Sequence, residues 1–116
     1  MRGFQLLLGR RHDGMNRLIE ERREELESIC RRRGVQRIEL FGSATRPDFD
    51  PARSDLDFLV IFQELPTDQY ADAYFGLLED LQDLFQRQVD LVVASAITNP
   101  YFQKAVNSTR TLVYAA

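Results

Sequence analysis

Phe41-Gly42-Ser43 and, after an intervening loop, Ser54-Asp55-Leu56-Asp57-Phe58-Leu59-Val60 are the stretch on which the reading of this chain turns. An apolar run ends in Gly-Ser, and a second apolar run begins with two aspartates at alternate positions. In a strand, residues two apart project to the same face. Asp55 and Asp57 therefore point together, while Leu56 and Phe58 face the other way. Two like charges so placed repel, and partial burial raises the cost. A divalent cation relieves both penalties, and hard carboxylate oxygens suit Mg²⁺.

Working outward, Val35 to Phe41 alternates as a strand, with Val35, Arg37, Glu39 and Phe41 against Gln36, Ile38 and Leu40. Residues 44 to 53 contain Pro47 and Pro51 and read as a loop or a short helical turn followed by a loop. Leu56 to Phe62 is apolar enough to be a largely buried strand. Upstream, apolar residues at helical spacing (Leu18, Ile19, Leu26, Ile29, Cys30) predict a helix over 13–33. Asp13 is its expected N-cap and Gly34 its C′ residue. Arg31-Arg32-Arg33 then lies in the last turn, where cations favour the helix dipole; phosphate or partner contact is the other reading. Downstream, Pro66-Thr67 opens a helix to about Arg87. Its stripe Tyr70, Tyr74, Leu77, Leu78, Leu81, Leu84 and Phe85 is expected to face the sheet. Val89 to Val93 is a third strand, Asn99-Pro100 begins a short last helix, and 110–114 adds an edge strand. The order α-β-β-α-β-α, with a terminal β, predicts a small mixed α/β sheet covered by helices.

At 116 residues the chain is expected to form one domain, with residues 1–14 a possible N-terminal extension before Met15. The apolar start Phe4 to Leu8 is too short to span a membrane. Its continuation, Gly9-Arg10-Arg11-His12, makes a poor secretory signal. One cysteine, on the apolar stripe, fits a core thiol in a reducing compartment, so a cytoplasmic location is expected. One histidine argues against a zinc site and against His-dependent nucleophilic catalysis. Residues 1 to 41 carry ten Arg against seven acids, and residues 42 to 116 carry five Lys+Arg against eleven acids. That balance does not describe a general nucleic-acid binder. The acidic half is the one that holds the aspartate pair.

A bare D-x-D is weak: Asp48-Phe49-Asp50 has the same spacing but sits between two prolines and reads as solvated. Asp55 and Asp57 differ in lying at the start of a buried strand. Asp90, at the start of another, supplies a third candidate carboxylate beside them. Three carboxylates converging on a sheet edge suit two metal ions; strand capping is the alternative for any one of them. Gly42-Ser43 can present backbone N–H groups and a hydroxyl to phosphate oxygens. Taken alone, it is only a turn. On the long helix, Asp68, Asp72, Glu79 and Asp83 share a face that is either a solvated surface or a docking surface for a basic partner.

In combination, "LFGSATR … SDLDFLVIF … VDLVV" resembles the nucleotidyltransferase superfamily related to DNA polymerase beta. Its brevity and leading helix look specifically like the minimal nucleotidyltransferases, the MNT partners in HEPN–MNT toxin–antitoxin pairs. Eleven residues separate Ser43 from Asp55, one more than is common in the group. The resemblance implies a nucleotidyltransferase fold, with Asp55, Asp57 and Asp90 catalytic and binding two Mg²⁺ ions. It implies that Gly42 and Ser43, assisted by Arg46 unless that arginine is simply solvated, hold the phosphates of ATP. It further implies transfer of AMP to a tyrosine of a HEPN-type RNase toxin, with the two proteins forming a hetero-oligomer. Two rivals share the fold: an antitoxin that neutralises by binding alone, and a transferase acting on a small molecule.

Overall fold

A computed structural model describes residues 17–45, 50, 54–96 and 99–116. Asp13, Met15, Arg46 and Asp48 lie outside these residues. The described residues begin with helices α1 (Arg17–Glu21) and α2 (Arg23–Arg32), followed by strand β1 (Val35–Phe41). A 3₁₀ turn over Gly42–Thr45 precedes strand β2 (Leu56–Phe62). Helix α3 (Tyr70–Phe85) then leads to strand β3 (Val89–Val93), helix α4 (Pro100–Thr109) and strand β4 (Thr111–Ala115).

The single leading helix expected from periodicity is divided at Arg22, whose φ of −117° and ψ of 20° leave the helical region. Its N–H turns back to the Ile19 carbonyl at 3.1 Å, a three-residue bond that tightens the chain there. The apolar stripe survives the break, because Ile19, Leu26 and Cys30 are all fully buried. Burial, then Glu27, push the Cys30 thiol up to about 12, so it is a core group as its position on the stripe predicts. Gly34 ends α2 with φ +71°, the left-handed C′ conformation that glycine adopts without a Cβ penalty.

The four strands form one sheet in the order β3-β2-β1-β4. β1 runs antiparallel to β2 and β4, while β2 and β3 are parallel. A parallel pair needs a long crossover, which α3 supplies. One sheet face carries Ile38, Leu40, Leu56, Phe58, Val60, Val89 and Leu91, which pack with Leu26, Ile29, Leu77, Leu81 and Phe85 of the helices. Phe58 and Phe85 stack at 6.2 Å between ring centroids. On the opposite face Phe41, Leu59 and Val106 form a smaller cluster.

Two further features depart from the sequence reading. Tyr70 does not join the buried stripe of α3; it is 38% exposed, and its hydroxyl accepts the Leu65 N–H at 2.9 Å. The arginine triplet does more than complement a dipole. Arg33 Nε donates to Asp80 Oδ2 at 2.8 Å, Arg32 reaches the same oxygen at 3.5 Å, and α2 is thereby tied to α3. Gly76 makes room for this clamp, since a Cβ there would lie 2.5 Å from the Arg33 guanidinium. No helix among the described residues is long and apolar enough to cross a membrane.

Candidate active site

The site is built where three strands come into register. Phe41 of β1 pairs with Asp57 of β2, and Asp57 pairs with Asp90 of β3. Residues so paired in neighbouring strands project to the same face, which puts Asp57 and Asp90 side by side. The two carboxyls are close enough for a hydrogen bond when Asp57 is protonated. Asp57 is half-buried, and its pKa is pushed up to about 6. Burial contributes most, then the hydrogen bond with Asp90, then the charges of Asp90 and Asp55. The repulsion raises the cost of ionising Asp57, which protonation below about pH 6 relieves.

Gly42 abuts this pair. Its φ is +75°, and a Cβ on it would stand 2.5 Å from Asp57 Oδ2. Both the conformation and the lack of space require glycine there. Its carbonyl accepts the Thr45 hydroxyl at 2.8 Å, and its N–H donates to Thr109 Oγ1 at 3.0 Å. The backbone of Ser43 lies in the 3₁₀ turn; its side chain, like the whole of Arg46, is outside the described part.

Asp55 precedes β2 and acts on Asp57 through its charge. Its neighbour Ser54 is held by Arg87, whose Nη1 donates to the Ser54 carbonyl at 3.0 Å. Next along, the Leu56 N–H donates to the Gln88 carbonyl at 3.2 Å. These two contacts fasten the entry of β2 to the entry of β3, which is what aligns Asp57 with Asp90. An open cleft of about 450 Å³ adjoins the pair, with Phe41, Tyr74, Leu78 and Val92 among its walls. Asp50, the described half of the other D-x-D, is exposed, as expected.

The donor set consists of carboxylate oxygens, two in mutual contact and a third close enough to be felt. Such a set suits a hard divalent cation, which would offset the repulsion among the carboxylates. Among the described residues no group of three acids, histidines or cysteines is already gathered as a metal cage. Thr109 and Arg87 escaped the sequence reading. Arg87 gave a faint signal as an isolated cation in the acidic half, whereas nothing in the sequence marked Thr109.

The sequence matches the nucleotidyltransferase domain family over residues 22–113. The chain belongs to that family. A relative in Methanocaldococcus jannaschii, named as a candidate protein adenylyltransferase, is 42% identical over 72 residues, covering 62% of this chain and 69% of the relative. Among solved structures, a candidate minimal nucleotidyltransferase superposes with a TM-score of 0.65 and 31% identity, covering 80% of this chain and 90% of the other. A Shewanella oneidensis complex of a tri-AMPylated HEPN toxin with its MNT antitoxin gives 0.57 at 20% identity, covering 84% and 72%. At that identity the likeness speaks for the fold. The four-stranded mixed sheet with its helices is the nucleotidyltransferase fold expected from the motif, and the chain is a nucleotidyltransferase of the minimal, MNT-like kind.

Proposed function

We propose that this nucleotidyltransferase moves AMP from ATP onto a tyrosine hydroxyl of a HEPN-type toxin and silences it as a cytoplasmic antitoxin. The observation that carries the reading is the Asp57–Asp90 pair, in register across β2 and β3, set against the Gly42 turn. Backbone N–H groups after Gly42, with Ser43 and Arg46, would take the β- and γ-phosphates. Asp55, Asp57 and Asp90 would hold two Mg²⁺ ions, which supply charge neutralisation at the α-phosphate and acidify the acceptor hydroxyl. The acceptor oxygen forms a bond to the α-phosphorus, the bond from that phosphorus to the bridging oxygen breaks, and pyrophosphate leaves. The hydroxyl proton passes to the carboxylate of Asp90. Names of the relatives support this choice of reaction: one is named for protein adenylylation, and another was seen with a toxin bearing three AMP groups.

Intact mass of the co-expressed partner after incubation with the protein, ATP and Mg²⁺ tests the proposal, beside an Asp55→Ala/Asp57→Ala control. A gain of one or more AMP units that the control lacks is expected. A silenced toxin in tight complex with no gain in mass would replace transfer by inhibition through binding.

A further inference from the structure

Gly42 can adopt a positive φ, but nothing intrinsic to glycine holds it there, since it populates both signs about equally. The turn that follows it can present N–H groups in a fixed direction only if something else selects this conformation. Two hydroxyls grip the residue at either end: Thr45 on its carbonyl and Thr109 on its N–H. Thr45 belongs to the turn itself. Thr109 comes from the far end of α4, sixty-seven residues along the chain. Its hydroxyl uses both of its capacities, accepting from Gly42 and donating to the Val106 carbonyl at 3.4 Å. Val106 is in turn 2% exposed against Phe41 and Leu59.

The next residue explains how α4 keeps this register. Arg110 Nη2 lies 2.7 Å from Glu39 Oε1, its Nε donates to the same oxygen at 2.7 Å, and Arg37 pairs with Glu39 Oε2 at 2.8 Å. Glu39 is the buried charged residue of β1, only 4% exposed. Desolvating a carboxylate is costly, and such pairs are weak sources of stability; their best-attested use is to fix register. Here the register fixed is that of Thr109 over Gly42, three residues beyond Glu39.

We infer that Thr109 is a positioning residue for the phosphate-binding turn, locked over Gly42 by the buried Glu39–Arg110 pair. The inference rests on the triphosphate reading of that turn given above. It deepens that reading by naming a residue, remote from the motif, on which nucleotide affinity depends. With the hydroxyl removed, Gly42 regains its conformational freedom. The N–H groups after it then lose preorganisation, so affinity falls while the fold stands.

Titration calorimetry with ATP and Mg²⁺, together with amide exchange at Gly42 by NMR, tests this on wild type, Thr109→Val and Thr109→Ser. Loss of one hydrogen bond predicts about threefold to tenfold weaker ATP binding for Thr109→Val. Its Gly42 amide should exchange faster and its melting temperature stay close to wild type. Thr109→Ser, which keeps the hydroxyl, restores affinity and protection. Arg110→Gln provides a second variant and should weaken ATP binding in the same direction. Wild-type affinity in Thr109→Val would overturn the inference and leave the nucleotide reading standing. A wild type that binds no ATP would remove the nucleotide reading and the inference with it. A melting temperature that falls without any change in ATP affinity would assign Thr109 to stability alone and so overturn the inference.

Discussion

Replacing Asp57 by Asn should make the unliganded protein more stable while abolishing AMP transfer. The Asp57 carboxyl is raised from its ordinary value near 3.8 to about 6, a ceiling of about 3 kcal/mol on the cost of ionising it in place. Because the group is only half-buried, solvent screening reduces this to about 1 kcal/mol. Asn keeps the shape and a hydrogen bond to Asp90 but carries no charge. For a chain of this size the gain corresponds to a rise of roughly 4 °C in melting temperature. The pH dependence carries a definite sign. With its native pKa raised, Asp57 contributes fully below its ordinary value, and that contribution is lost as pH rises through about 6. The melting-temperature difference between variant and wild type should therefore be small at pH 4, grow through pH 6 and then level off. Scanning fluorimetry in EDTA from pH 4 to 8 measures it, and added Mg²⁺ at pH 7.5 should stabilise the wild type more than the variant. A variant that melts at or below wild type at pH 7.5, or a difference flat with pH, would refute the view that Asp57 is held there against an electrostatic cost.

Other substitutions probe separate parts of the molecule. Gly42→Ala places a Cβ 2.5 Å from Asp57 Oδ2 at φ +75°, and should lose transfer activity with about 1–3 kcal/mol of stability by urea titration. Phe58→Ala empties a fully buried site stacked on Phe85 and should cost about 3–5 kcal/mol in the same assay. For the Arg33–Asp80 clamp, a double-mutant cycle should return about 1 kcal/mol of coupling, with nucleotide affinity unchanged. The Cys30 thiol, raised to about 12 by burial, should resist Ellman's reagent in the native protein at pH 8 and react on unfolding.

Much of this architecture could be read before any coordinates, and the reasons are local. Strands β1 to β3 announce themselves through apolar runs bounded by Gly34, Gly42 and the Asp55–Asp57 step. Asn99-Pro100 signals α4 through a cap that exists, with the Tyr101 N–H on Asn99 Oδ1 at 2.8 Å. The pairing of Asp57 with Asp90 was legible because both sit at the head of buried strands. What escaped depends on tertiary partners. The division at Arg22 involves neither Gly nor Pro, so no punctuation marks it. Tyr70 has helical spacing but faces Leu65 rather than the sheet. Asp80 and Gly76 acquire meaning only once Arg33 lies across them. Thr109 and Glu39 meet the site through contacts spanning most of the chain, which no window of sequence reveals.

The parallel junction of β2 and β3 also governs when in the life of a molecule its chemistry can begin. β1 and β2 are neighbours in sequence and can pair early as an antiparallel unit. Asp90, by contrast, reaches Asp57 only after the whole of α3 has been laid down between them. Closing a long crossover is a slow, non-local event compared with forming a hairpin. A ribosome-bound chain that has not yet released β3, or a molecule in which that strand has peeled away, holds one acid of the pair and lacks the other. Competence therefore waits on closure of this crossover, so turnover reports molecules in which β3 has joined β2.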